Sequence, residues 1–80
     1  MSQQNIITEI VEERKRQDEK WGVRNQLHTW WLVILLEEVG ECAKALLEGD
    51  GLRNEIIQSA AVCLAWLENI ERESDSEEKP

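Results

Sequence analysis

The chain has 80 residues, 41% of them hydrophobic, with 17 acidic side chains against 9 basic ones and a formal charge of -8. That length holds one small domain whose lone core would be marginal, so self-association as a homo-oligomer, dimer or tetramer, is expected. The charge argues against nucleic acid as a partner, which needs clustered Lys and Arg, and the longest uncharged runs, residues 25–36 and 56–67, are too short to cross a membrane.

The first residues, MSQQNIITEI, lack a basic region followed by an apolar stretch, so no secretory signal is read and a cytoplasmic location is expected. Residues 3–20 place Ile6, Ile7, Ile10 and Val11 on one side and continue through Arg14, Gln17, Asp18 and Trp21, which predicts a first helix. Gly22 ends it, and the polar stretch that follows offers Asn25 or Thr29 as the cap of a second helix. From Trp30 to Glu48 the residues Leu32, Leu35, Leu36, Val39, Cys42, Ala43 and Leu46 trace one apolar stripe at spacings of three and four. Gly49 suits the position after that helix, and Asp50 suits the N-cap of the next.

The third helix is expected from Leu52 to about Arg72, antiparallel to the second across this short turn. Its apolar residues fall on two adjoining arcs, Ile56, Ala60, Cys63, Leu67 and Ile70 on one and Ile57, Ala61 and Leu64 on the other. So wide an arc needs two neighbours, the second helix and a partner subunit. Residues 1–72 are therefore read as one helical domain and 73–80 as a disordered acidic tail. Cys42 and Cys63, with no second pair and no nearby His, are read as small buried hydrophobes rather than zinc ligands.

Chemistry concentrates on the second helix, where Glu37, Glu38 and Glu41 form EExxE. At about 100° per residue their carboxylates crowd one flank, and such like charges cost a few tenths of a kcal/mol per pair. A hard divalent cation with oxygen ligands would remove the conflict. Across the predicted hairpin, Glu55 and Gln58 come opposite Glu38 and Glu41, so four oxygen donors converge between two facing helices.

This pairing of EExxE with Glu55 and position 58 resembles the motif pair of the all-α nucleoside triphosphate pyrophosphohydrolases, the MazG-like proteins. The runs ERKRQDEKWG, EEVGECAKALLEGD and LRNEIIQSAAVCLAWLE, with a histidine ahead of EExxE, look like the small stand-alone branch over residues 9 to about 70. The resemblance implies an all-α fold of three main antiparallel helices, of four-helix-bundle type and completed by oligomerisation. It also implies hydrolysis of a nucleoside or deoxynucleoside triphosphate to the monophosphate and pyrophosphate, with Mg²⁺, or alternatively Mn²⁺, as cofactor.

By position, Glu38, Glu41, Glu55 and Gln58 would hold the metal, and Glu37 would orient or deprotonate the attacking water or hold a further ion. Gln58 departs from the family pattern, which usually has Asp, so a neutral carbonyl stands where a fourth carboxylate is expected. Lys20, Lys44 and Arg53 are candidates to meet phosphates, or else surface charges paired with glutamates. Trp21, His28, Trp30 and Trp31 cluster where the family places its nucleobase pocket, and the tryptophans serve either as stacking faces or as core. His28 would bind substrate or cap the second helix, while Trp66 is read as packing or a subunit contact.

Two further readings stand beside the hydrolase. One is a catalytically altered nucleotide-binding or regulatory protein on the same fold. The other is a helical interaction protein whose acidic surface contacts a basic partner, which leaves EExxE and Glu55 at hairpin spacing unexplained.

Overall fold

The structure is a computed structural model that describes residues 2–78, with side chains as far as residue 75. Among the described residues it is all-helical: α1 (Gln3–Trp21), α2 (His28–Glu48) and α3 (Leu52–Glu78). Ser2 starts α1 by accepting the Asn5 N–H on its hydroxyl at 3.2 Å. Gly22, at φ 79°, ends the helix with its own N–H on the Asp18 carbonyl at 2.7 Å.

Neither Asn25 nor Thr29 caps α2, which starts after Leu27 without a side-chain cap. The Asn25 side-chain Oδ1 instead accepts the Arg72 Nε–H of α3 at 2.7 Å. At the other end of α2, Gly49 adopts the left-handed conformation, φ 77°, and donates to the Ala45 carbonyl at 2.8 Å. Gly51, rather than Asp50, then stands immediately before α3, and its carbonyl accepts the Glu55 N–H at 3.2 Å.

α3 is the axis of the molecule, with α1 and α2 packing on it and not on each other. α2 runs antiparallel to α3 across the short turn. α1 runs in the same direction as α3, since Glu9 and then Arg14 meet Arg53 and then Glu68 in the same order along both helices. The common core is Trp31, Val62 and Ala65, with Ile34, Leu35 and Trp66 packed against it. Ala45 and Ala61 are also buried, which leaves a core dominated by small side chains.

Three expectations change in the folded chain. The α2 stripe is covered only in part: Leu35 and Cys42 are half-buried, while Leu32, Leu36, Val39 and Leu46 are 46%, 58%, 49% and 66% exposed. The helix is turned so that Trp31, Ile34, Leu35, Glu38, Cys42 and Ala45 face α3, because the Trp31 indole docks on Asn69. Cys63 is exposed and Cys42 half-buried, so the two thiols are not both core residues. Finally, α3 continues through Glu78, where an unstructured tail is expected from residue 73. Arg72 holds Asn25 and the Arg24 carbonyl, and Glu73 meets His28, so the α1–α2 connection and the first residue of α2 support that end of the helix. Residues 79–80 lie outside the described residues.

Candidate functional site

The gap between α1 and α2 is a groove of about 320 Å³ with α3 as its floor. α1 lines it with Arg14, Gln17, Asp18 and Trp21, α2 with Trp31, Ile34, Glu37 and Glu38, and α3 with Val62 and Ala65. The apolar floor and the Trp31 wall meet polar side chains at the rim, which is the usual composition of a small-molecule site.

Glu38 is the chemical centre of the acidic flank. It is half-buried, and its Oε2 is shielded from solvent with no hydrogen-bond partner among the described residues. Burial first, then the charges of Glu55, Glu41, Glu37 and Glu13, hold its carboxyl above the usual carboxylate range. Folding thus brings Glu37, Glu38, Glu41 and Glu55 into one electrostatic neighbourhood and adds Glu13 from α1. Among the described residues, no three or more His, Cys, Asp or Glu side chains stand close enough to hold a metal ion as they are. The donor set is nonetheless one a hard divalent cation fits, all oxygen and strongly anionic, with an unsatisfied carboxylate oxygen on Glu38.

Gln58 is half-buried but lines a second cavity, also about 320 Å³, together with Glu9, Glu12, Glu13, Arg16 and Arg53. Arg53 grips Glu9 through Nη1 at 3.0 Å and lies outside the groove. The hydrogen bond from Arg53 holds the Glu9 carboxyl below its usual range. Lys20 sits over the Trp21 ring at 4.9 Å, at the groove's α1 end. Lys44 is exposed on α2.

The aromatic residues divide. Trp21 is 52% exposed at the groove mouth, whereas Trp31 is 7% exposed and donates its indole N–H to Asn69 Oδ1 at 2.9 Å. Trp31 is therefore both core and groove wall, and Trp30 points away, exposed and outside the lining. His28 does not cap α2. Its Nδ1 accepts the Trp66 indole N–H at 2.9 Å, its Nε2 meets Glu73 at 3.0 Å, and its ring stacks on Trp66. Both ring nitrogens are engaged with α3.

Sequence reasoning assigned no role to Arg14 or Asn69. Arg14 is buried between Asp18 and Glu68, the latter at 2.7 Å, and closes the groove from the α1 side. Its signal was position, one turn past Ile10 and one turn before Asp18 on the inner face of α1. Asn69 is 1% exposed and continues the buried line of Val62 and Ala65.

Comparison with known proteins finds no family model, no curated protein and no solved structure that matches the chain.

Proposed function

We propose that this chain is a MazG-like pyrophosphohydrolase that converts a nucleoside or deoxynucleoside triphosphate to the monophosphate and pyrophosphate with Mg²⁺. The observation that carries the reading is Glu38: a half-buried carboxylate with an orphaned oxygen, held above its usual range by burial and then by four surrounding glutamates, at the edge of a groove walled by tryptophan. Glu38, Glu41 and Glu55 would hold the ion, which when bound neutralises phosphate charge and makes water more acidic. Glu37 lines the groove, where it would orient the water attacking the α-phosphorus and take its proton. Trp21 and Trp31 offer flat faces for a base. Lys20 beside Trp21 supplies positive charge at that end of the groove.

In the same reading the chain is a homo-oligomer in which helices from two copies complete a four-helix bundle. The support is the thinness of its own core against the long apolar rows left exposed on α2 and α3.

The test is pyrophosphate release from a panel of nucleoside and deoxynucleoside triphosphates, with and without Mg²⁺. Metal-dependent release that falls about a hundredfold or more in Glu41→Gln supports the reading. Full activity in both Glu38→Gln and Glu41→Gln would sink it. Gln58 favours a second reading, a nucleotide-binding or regulatory protein without turnover, because it faces Glu12 and Glu13 in the other cavity. Turnover in Gln58→Asp but none in the natural chain would select that reading.

A further inference from the structure

Three hydrogen bonds fix residues 24–26, between α1 and α2, to the side of α3. The Arg24 carbonyl accepts Arg72 Nη2–H at 2.9 Å, Asn25 Oδ1 accepts Arg72 Nε–H at 2.7 Å, and the Gln26 N–H donates to Asn69 Oδ1 at 2.8 Å. That Asn69 oxygen is shared with the Trp31 indole, so the segment lies at the Trp31 end of the groove.

The Arg24 side chain is anchored as well. It lines the groove, and its Nε–H donates to the Trp21 carbonyl at 3.0 Å, which sets the plane of the guanidinium. Nη1 and Nη2 meet no partner among the described residues. Arg14, Arg16 and Arg53 each hold a carboxylate, and Arg14, the other cation of the groove lining, is spent on Asp18 and Glu68. In a chain of net charge -8, Arg24 thus keeps a planar two-pronged donor for whatever enters the groove.

The two ends of the groove differ in chemistry. Trp21, Trp31 and Arg24 stand at one, Glu37 and Glu38 at the other. Seven residues of α2 separate Trp31 from Glu38, a rise of about 10 Å. That is close to the reach from the α-phosphorus of a nucleotide to the outer edge of its base. With the ion and the phosphates at the acidic end, the edge of the base comes to Arg24. Tryptophan faces stack on any base, so selection falls to the polar group beside them.

We infer that Arg24 reads the base, its two terminal amino groups donating side by side to a nucleobase with two adjacent acceptors: guanine through O6 and N7, or cytosine through N3 and O2. Adenine sets an amino donor beside N7 and N1, and thymine sets N3–H between its two carbonyls, so each meets the fork with a donor. The inference rests on the pyrophosphohydrolase reading and names the substrate class within it.

The test compares kcat/KM for dGTP, dCTP, dATP and dTTP with Mg²⁺. The natural chain should favour dGTP or dCTP over both dATP and dTTP by about tenfold. The compound 7-deaza-dGTP, which lacks the N7 acceptor, separates the two sources. It should fall to the level of dATP where guanine is the base read, and match dGTP where cytosine is. Arg24→Lys, which keeps the charge without the fork, and Arg24→Ala should each bring the four substrates within about twofold of one another. The same order of bases should appear without turnover, in the quenching of tryptophan fluorescence by the four deoxynucleoside monophosphates.

Turnover that is indifferent to the base, or fastest with dATP or dTTP, overturns this inference and leaves the hydrolase standing. So does an Arg24→Ala chain that loses all four substrates in equal proportion, the mark of a phosphate contact, or an Arg24→Lys chain that keeps the preference. Base-ordered binding without turnover supports this inference and overturns hydrolysis. Neither turnover nor binding of any of these nucleotides overturns both.

Discussion

Asn69 accepts the Trp31 indole N–H at 2.9 Å on the same Oδ1 that accepts the Gln26 backbone N–H at 2.8 Å. One buried amide thereby orients the groove wall and ties the α1–α2 connection to α3. Trp31 can turn inward only because its single polar atom finds an acceptor there, and that rotation leaves Leu32, Leu36 and Val39 outside.

Asn69→Ala should therefore cost about 1–3 kcal/mol, since two donors lose their acceptor in a site closed to water. Thermal melting of Asn69→Ala, Trp31→Phe and the double variant measures it. A double variant no less stable than the worse single one shows the coupling, whereas simple additivity would show that the two side chains act independently.

The raised Glu38 carboxyl gives a pH signature. A group that holds its proton more tightly when folded does not oppose folding below its unfolded value, about 4.3, and its opposition grows as pH climbs through the raised folded value. Without divalent ions, Glu38→Gln should melt above the natural chain at pH 7 and together with it below pH 4. Millimolar Mg²⁺ should then raise the melting temperature of the natural chain and not that of the variant. A gap between the two that is constant with pH would contradict this account.

Glu9 has the opposite sign. Its carboxyl is lowered by the Arg53 hydrogen bond, so the stability it contributes is present above the unfolded value and lost as pH falls through the folded one. Glu9→Gln should flatten the acid limb of the stability curve slightly, and about 0.5 M salt should reduce the difference, because the pair is open to solvent. Chemical denaturation between pH 2 and 6 at two salt concentrations reads both effects.

His28 joins α2 to the far end of α3. An indole N–H can only donate, so Nδ1 of His28 must accept from Trp66, and Nε2 carries the proton it offers to Glu73. His28→Ala should cost about 1 kcal/mol and speed amide exchange across residues 66–75 more than across α1. Uniform exchange along the chain would mean that the contact does not support α3.

The sequence alone determined three helices and the breaks between them, because helix period, Gly22 and Gly49 act over a few residues. It also placed Glu37, Glu38 and Glu41 on one flank and brought Glu55 near them, since a short turn between two helices leaves little freedom of register. Which apolar row is covered by the same chain was decided only in three dimensions. Each of α2 and α3 has apolar residues on two faces, and the covered one includes the buried pair joined by a distant hydrogen bond, Trp31 to Asn69. The same applies to Arg53, drawn to Glu9 from 44 residues away, and to Arg14, buried by Glu68 across 54. Local spacing carries no record of such partners. They emerge when α1 and α2 settle on opposite sides of α3 and leave the groove between them.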